Sequence, residues 1–155
     1  GANVNGRDNA RTPMQWSAAP HGGFTTGVPW IETNPNYSSI NAESSVGDDR
    51  SIWNHYRKLI ALRRKLPVMV HGAFQSYLDQ HPQVFVYSRT LDDQRIIVVA
   101  SFTPDRVSLS LPDELRVQGE CLIGNYEDRP SLGDSIDLQP YEAFAILVRQ
   151  QPRRD

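Results

Sequence analysis

Apolar residues recur at two different spacings along this chain, and the first spacing is helical. Between residues 52 and 66 they fall at i, i+4, i+7 and i+8, which is one face of an α-helix formed by Ile52, Tyr56, Leu59 and Ile60. Asp48, Asp49 and Ser51 precede this face as capping candidates, basic residues crowd its second half, and Pro67 follows. The pattern predicts one long helix that ends near Pro67.

From Val68 onward the apolar residues alternate with polar ones, which is the period of β-strands. Short strands are predicted at residues 84–88, 95–102, 107–111, 119–123 and 143–148, with turn sequences rich in Asp and Pro between them. Five to seven strands of this kind are typical of an antiparallel β-sandwich. The whole pattern therefore predicts a mainly β fold with one long helix.

Residues 1 to about 47 show neither period and are rich in Gly, Pro, Asn and Ser, which is the composition of a loop. A loop of this length is uncommon unless it is functional or disordered. Its apolar side chains, among them Phe24, Trp30, Ile31 and Tyr37, are scattered singly. We expect this segment to be poorly anchored without a larger surface to pack against.

The segment from Arg7 to Trp16 concentrates polar chemistry within this loop, because it contains two guanidinium groups, a carboxylate and two side-chain amides. Arg7 and Arg11 offer planar sets of donors that suit vicinal hydroxyls or carboxylates. Asp8 can orient one of them, and Pro13 stiffens the exit of the segment. These residues predict a loop that holds a polar ligand.

The run from Arg7 to Trp16 also resembles the RDN-x-RTPMQW signature of the oligo-1,6-glucosidase group of family 13 glycoside hydrolases. That group includes dextran glucosidases, trehalose-6-phosphate hydrolases and sucrose isomerases. The resemblance continues in order at residues 21–27, 29–31, 34–37, 40–41, 56–63, 125–126 and 138–143. Two departures are visible: Ser17 stands where Asp is usual, and Gly22 stands where Ala is common.

The resemblance implies a domain organisation. Residues 1–67 are expected to be the last loop and helix of a (β/α)8 barrel, residues 68–150 a C-terminal antiparallel β-sandwich domain, and residues 151–155 a tail. A complete barrel needs about 250 residues, whereas the chain has 155. We therefore expect the carboxylates of the retaining mechanism to lie upstream of residue 1, in a missing barrel portion, and the 155-residue chain to be inactive alone.

The resemblance also implies a substrate-binding set of Arg7, Arg11 and Asp8. In the family, the position of Arg7 pairs with an upstream carboxylate and closes the pocket around the terminal glucose; a local salt bridge with Asp8 is the alternative. For Arg11 an anchoring role in the loop is favoured over substrate contact, and Asp8 and Asn9 are expected to orient the loop through local backbone bonds. Trp16 and Trp30 could stack on sugar rings, but packing is favoured for both.

Composition excludes several classes of function. A net charge of -2 and a pI near 6.1 argue against nucleic acid as a partner, and no apolar run reaches the roughly 20 residues of a membrane span. The polar N-terminal sequence does not resemble a signal peptide. The four histidines form no cluster with ligand spacing, so neither a metal nor another cofactor is expected. A single cysteine, Cys121, excludes an internal disulfide and favours the cytoplasm.

Two interpretations of the β domain stay open, an architectural role against the barrel and a carbohydrate-binding module. Binding modules usually display a row of exposed aromatic rings on one sheet face. The candidates Phe85, Tyr87, Tyr126 and Tyr141 are few and interleaved, so the architectural role is favoured. The parent's partner would be a disaccharide or oligosaccharide, and a trehalose-6-phosphate hydrolase or a sucrose isomerase stays an alternative to an α-1,6-glucosidase.

Overall fold

The computed structural model describes residues 8–149, without the side chain of Asn9. The chain divides into two compact units, Gly1–Lys58 and Leu59–Asp155. No helix in the described stretch is long and apolar enough to span a membrane.

The first unit contains short helical elements joined by irregular backbone. Three 3-10 helices span Asp8–Ala10, Pro20–Gly23 and Pro35–Ser38, and helix α1 spans Ala42–Gly47. Helix α1 was not expected, because the composition of this stretch is typical of a loop. Its N-cap is Asn41, whose Oδ1 accepts the backbone N–H of Ser44 at 2.9 Å.

Helix α2 spans Ile52–Lys65 and confirms the long helix that the sequence predicted. Of the capping candidates, Ser51 accepts the N–H of Asn54 at 3.2 Å, whereas Asp48 accepts that of Arg50 in the preceding turn. The predicted apolar face is largely uncovered among the described residues, since three of its members are exposed: Ile52, Tyr56 and Ile60. Near the C-terminal end of α2, Leu62 packs against a hydrophobic core that includes Leu66, the residue directly after the helix.

The second unit continues with helix α3 and then with short strands. Helix α3 spans Val68–His71, so the expectation of a strand period from Val68 onward was wrong for these four residues. The strands of the described residues are β1 Ala73–Tyr77, β2 Val84–Leu91, β3 Gln94–Ser101, β4 Val107–Ser110, β5 Val117–Gln118, β6 Glu120–Gly124, β7 Ser131–Leu132, β8 Ser135–Leu138 and β9 Ala143–Arg149. All five strands expected from the sequence are present, while β1, β5, β7 and β8 were missed.

These strands pair in three antiparallel sheets. The largest has the order β1-β2-β3-β9-β6, and two ribbons pair β4 with β8 and β5 with β7. In the large sheet Val86 faces Val99, and Val99 in turn faces Phe144. The register of β6 against β9 shifts between Cys121 and Ile123, so β6 is irregular at this point.

Hydrophobic residues are buried on both faces of the large sheet. On one face, residues of β2, β3 and β9 pack with residues of the β4–β8 ribbon, including Val86, Ile97, Val99, Leu109, Leu138 and Ile146. On the other face, Ile96 and Leu147 pack with Leu66 and Val68. Leu66 directly follows α2, and Val68 is the first residue of α3. Because successive strand residues point to opposite faces, a strand covered on both sides is apolar throughout.

Candidate functional site

The structure locates two of the three expected substrate-binding residues. Arg7 lies outside the described residues. Asp8 is half-buried and begins the first 3-10 helix, and its carbonyl oxygen accepts the N–H of Arg11 at 3.0 Å. The Arg11 side chain is exposed. The arrangement leaves the Arg11 guanidinium open to solvent, and the roles of all three residues stay predictions.

Gln15 connects the end of the signature to a segment more than twenty residues away. Its Nε2 donates to Asn36 Oδ1 at 2.8 Å and to the carbonyl of Ile40 at 2.6 Å, and its own carbonyl accepts the N–H of Ala42 at 2.9 Å. These bonds tie the signature to the residues that precede and begin α1. This role could not be predicted from the sequence, because an amide side chain does not specify a distant partner.

Gly22 forms a second connection within the first unit. Its carbonyl accepts the N–H groups of Trp16 and Ser17, and its φ of 67° is left-handed. A Cβ on Gly22 would lie 3.2 Å from Thr33 Cγ2 and 3.3 Å from Gln15 Cα. Glycine at this position, where Ala is common in the family, therefore avoids both a strained backbone conformation and a tight contact.

Two asparagines supply most of the buried polar contacts of the first unit. Asn41 Nδ2 donates to the Tyr37 carbonyl at 2.9 Å, while Asn54 Nδ2 donates to the carbonyls of Val46 at 3.1 Å and Asp48 at 2.8 Å. Asn54 thus satisfies carbonyls at the C-terminal end of α1. Neither role was predicted, although Asn41 directly before Ala-Glu-Ser-Ser is a recognisable N-cap signal.

The tryptophans of the first unit are open to solvent. Trp30 is 99% exposed and Trp16 is 55% exposed, so among the described residues Trp30 has almost no packing partner and Trp16 is only partly covered. The third tryptophan, Trp53, has the Arg57 guanidinium 5.1 Å from its ring centroid. Exposed aromatic rings of this kind suit either a sugar or a further protein surface.

Retaining glycoside hydrolysis needs a pair of carboxyl groups about 5 Å apart. Among the described residues the only buried one is Glu142, which is 2% exposed. It accepts bonds from Arg129 Nε at 2.6 Å and from the backbone N–H of Gln139 at 2.7 Å. The Glu142 carboxylate is therefore engaged in an ion pair with Arg129 and is not free to act as an acid or a nucleophile.

No metal or reactive thiol emerges from the same stretch. No group of three or more His, Cys, Asp or Glu residues within 8–149 could hold a metal ion. Burial, followed by the nearby Asp128 carboxylate, raises the pKa of the Cys121 thiol. Cys121 therefore stays protonated at neutral pH and is a poor nucleophile.

Two adjoining protein families match nearly the whole chain. Residues 2–72 match the family described as alpha amylase, catalytic domain, and residues 74–145 match the family described as maltogenic amylase, C-terminal domain. The junction between the two matches falls at Ala73, the first residue of β1.

Curated relatives give the same result. The chain is 44% identical over 151 residues to a palatinase of Erwinia rhapontici, with 97% of this chain and 27% of the relative covered. It is 40% identical over 147 residues to an oligo-1,6-glucosidase of Bacillus cereus, with 94% and 26% covered. The chain therefore spans about a quarter of the length of the curated relatives it matches.

A solved structure agrees in fold. The trehalose-6-phosphate hydrolase of Bacillus licheniformis superposes with a TM-score of 0.84 at 33% identity, covering 93% of this chain and 26% of that one. With two family matches in sequence order that together span residues 2–145, and relatives at 40 to 44% identity, the chain belongs to the alpha-amylase family of glycoside hydrolases, as a stretch of the catalytic domain followed by the C-terminal domain.

Proposed function

We propose that the chain is the C-terminal part of a retaining α-glucosidase that acts on short α-1,6-linked or related glucosides. The first unit carries a loop of the substrate pocket, in which Arg7 binds the terminal glucose and Asp8 and Arg11 shape the loop. The acid and nucleophile are supplied by barrel strands outside this segment. The observation that carries the proposal is the 44% identity to a palatinase across 97% of this chain, signature included.

The geometry of the first unit supports a pocket loop. Gln15 and Gly22 hold the C-terminal end of the signature with at least four hydrogen bonds. Two are donated by Gln15 Nε2, and two are accepted by the Gly22 carbonyl. A loop held in this way presents Arg11 without anchoring its side chain. Preorganised donors bind and orient a substrate at a lower entropic cost than mobile ones.

The second unit is proposed to be the β-sandwich domain of the enzyme, with an architectural role. The packing of the β4–β8 ribbon over the large sheet supports a two-layered core. We place the end of the barrel at residue 67 and the β domain at residues 68–150. A cytoplasmic location is proposed on the ground that the chain has a single cysteine.

Related activities compete with this proposal. A trehalose-6-phosphate hydrolase of Bacillus subtilis is 38% identical over 145 residues, which is close to the values for the glucosidases. The partner proposed here is thus a disaccharide or oligosaccharide, and the parent's reaction must be decided by assay.

A chimera tests the proposal. The segment of the Erwinia palatinase that aligns with this chain is replaced by the 155 residues, and hydrolysis of isomaltose, isomaltulose, sucrose and trehalose-6-phosphate is measured. We expect the chimera to hydrolyse isomaltulose and isomaltose, and the 155-residue chain alone to hydrolyse none of the four. A folded but inactive chimera would contradict the pocket role of the segment.

Arg7 is tested in the same chimera. Arg7→Ala is expected to lower kcat/KM by about 30- to 1000-fold, because a charged hydrogen bond in a dry pocket contributes about 2 to 4 kcal/mol. Arg7→Lys should not restore activity, since an ammonium group cannot replace the planar guanidinium. Arg11→Ala is the matched control and should lower activity only in proportion to thermal stability. Near-native activity in Arg7→Ala together with its loss in Arg11→Ala at unchanged stability would reverse the two roles.

A further inference from the structure

A cavity of about 480 Å³ opens on the second unit, between the segment after β6 and the turn that joins β8 to β9. Its lining residues are Tyr126, Glu127, Asp128, Arg129, Gln139 and Glu142. This volume lies within the roughly 300 to 1,000 Å³ that is usual for small-molecule sites. The cavity brings together two sequence landmarks that lie more than ten residues apart, Asn125-Tyr126 and residues 138–143.

The walls of the cavity are fixed by hydrogen bonds between these two segments. Asn125 Nδ2 donates to the Tyr141 carbonyl and Asn125 Oδ1 accepts the N–H of Ala143, both at 2.8 Å. The Tyr126 hydroxyl donates to the Pro140 carbonyl at 2.9 Å. The Tyr126 ring is therefore held in place although 48% of the residue is exposed.

The base of the cavity is equally rigid. Glu142 is buried and binds Arg129 through Nε at 2.6 Å and Nη2 at 3.2 Å, and Nη2 also donates to the Asp137 carbonyl at 2.6 Å. The Arg129 guanidinium lies 5.6 Å from the centroid of the Phe144 ring. A site with a fixed base and fixed walls loses little entropy when it binds a ligand.

The lining has the mixture of groups that recognises a neutral sugar. An exposed face of Tyr126 can cover the C–H face of a pyranose ring, and the exposed carboxylates of Glu127 and Asp128 can accept bonds from vicinal hydroxyls. Gln139, from the other of the two segments, also lines the cavity. Two exposed carboxylates disfavour an anion, and the described residues contain no cluster with the makeup of a metal site.

We propose that this cavity is a second, non-catalytic binding site for a short neutral glucoside, in which one pyranose ring lies on Tyr126 and its hydroxyls bind Glu127 and Asp128. It lies wholly within the second unit and uses none of the signature residues. The choice of a glucoside rests on the proposed function, whereas the site itself rests on the cavity. Such a site would keep substrate on the enzyme surface without taking part in hydrolysis.

The test is a titration of the ¹⁵N-labelled 155-residue chain with isomaltose and maltose, followed by amide chemical shifts. We expect saturable shifts confined to residues 125–129 and 139–142, with a dissociation constant on the order of 1 mM. Tyr126→Ala should weaken binding at least about tenfold, because it removes the stacking surface. Tyr126→Phe keeps the ring and should bind within a few-fold of the unchanged chain.

Matched variants keep the test decisive. Phe74→Ala removes another exposed ring, on β1 and outside the cavity, and should leave binding unchanged. If Tyr126→Ala does not fold, Glu127→Gln at an exposed position replaces it and should weaken binding several-fold. Saturable shifts that survive both Tyr126→Ala and Glu127→Gln would overturn the proposal.

Other outcomes also overturn it. One is the absence of local chemical-shift changes at about 100 mM sugar. Another is a loss of binding in Phe74→Ala while the cavity variants still bind. A third is competition by butylamine or inorganic phosphate that is as strong as competition by maltose. These results leave the hydrolytic activity of the palatinase chimera unaffected. Failure of this site and failure of the proposed function are therefore distinguishable.

Discussion

The two compact units bury opposite kinds of side chain. In the described part of the first unit, the buried residues are Gly22, Asn41 and Asn54, while Val28 and Trp30 are almost fully exposed. In the second unit, Val86, Ile97 and Ile146 are completely buried. The first unit is thus held together by backbone geometry and polar contacts, and the second by a hydrophobic core.

This difference indicates how each unit obtains its stability. A hydrogen bond makes a net contribution of about 1 kcal/mol to the free energy of unfolding, whereas a buried aliphatic side chain contributes about 1.5 to 3 kcal/mol. The second unit should therefore fold by itself. The first has its apolar side chains available for another surface, which agrees with the proposal that it lines the substrate pocket of a larger enzyme.

Arg129→Ala should have the largest effect, and it acts on the second unit alone. It leaves the Glu142 carboxylate buried without its partner, which costs about 3 to 5 kcal/mol. Urea unfolding followed by far-UV circular dichroism measures the loss. Arg116→Ala is the control, because its ion pairs with Asp113 and Asp134 are exposed and contribute at most about 1 kcal/mol. Equal losses in both variants would contradict the importance of burial.

Leu138→Ala and Trp30→Ala compare the two units directly. Leu138 is fully buried, and its truncation should cost about 2 to 5 kcal/mol through the cavity it leaves. Trp30→Ala should change the stability of the 155-residue chain by at most about 0.5 kcal/mol, because an exposed ring has little to lose. If the unfolding midpoint moves more for Trp30→Ala, the first unit has apolar packing that we have missed.

Asn41→Ala should weaken the first unit and leave the second unchanged. Loss of the N-cap of α1 costs about 1 kcal/mol, and the bond to the Tyr37 carbonyl disappears with it. Trp16, Trp30 and Trp53 are the only tryptophans of the chain, so their fluorescence reports on the first unit alone. We expect an earlier fluorescence transition, faster proteolysis between residues 20 and 50, and an unchanged far-UV transition. Ser38→Ala, at an exposed position, should alter none of the three.

The smallest effect concerns Cys121. Burial and then Asp128 raise the pKa of this thiol, so less thiolate is present at a given pH and alkylation by iodoacetamide should be slower than for a free cysteine. Asp128→Asn removes a negative charge that disfavours the thiolate, and should accelerate alkylation at pH 8 by about threefold. Glu127→Gln should leave the rate unchanged. A slower rate in Asp128→Asn would show that we have the sign of the effect wrong.

The sequence predicted the fold where the apolar period was regular. The alternation at Val84, Val86 and Ser88 and the helical face of α2 are local signals, and both elements were found. Helix α3 and strand β1 were missed because four and five residues are too few to establish a period. Strand β8 has only Ile136 and Leu138 as its apolar residues, which alone do not distinguish a strand from a turn.

The candidate site was only partly predictable. The signature marked where polar ligand chemistry lies, but it could not indicate that Gln15 binds Asn36 and Ile40, because such contacts depend on the path of the chain between them. The cavity of the second unit was equally inaccessible. Tyr126 and Glu142 become neighbours only through the pairing of β6 with β9.

Strand β1 leaves one edge of the large sheet without a protecting residue. It forms one edge of the large sheet, and its sequence, Ala-Phe-Gln-Ser-Tyr, contains neither a charged residue nor a proline. Natural proteins use such residues to keep open edges from templating the addition of a foreign strand. Self-association at high concentration should therefore begin at this edge, and a lysine at Gln75 is the substitution that would protect it.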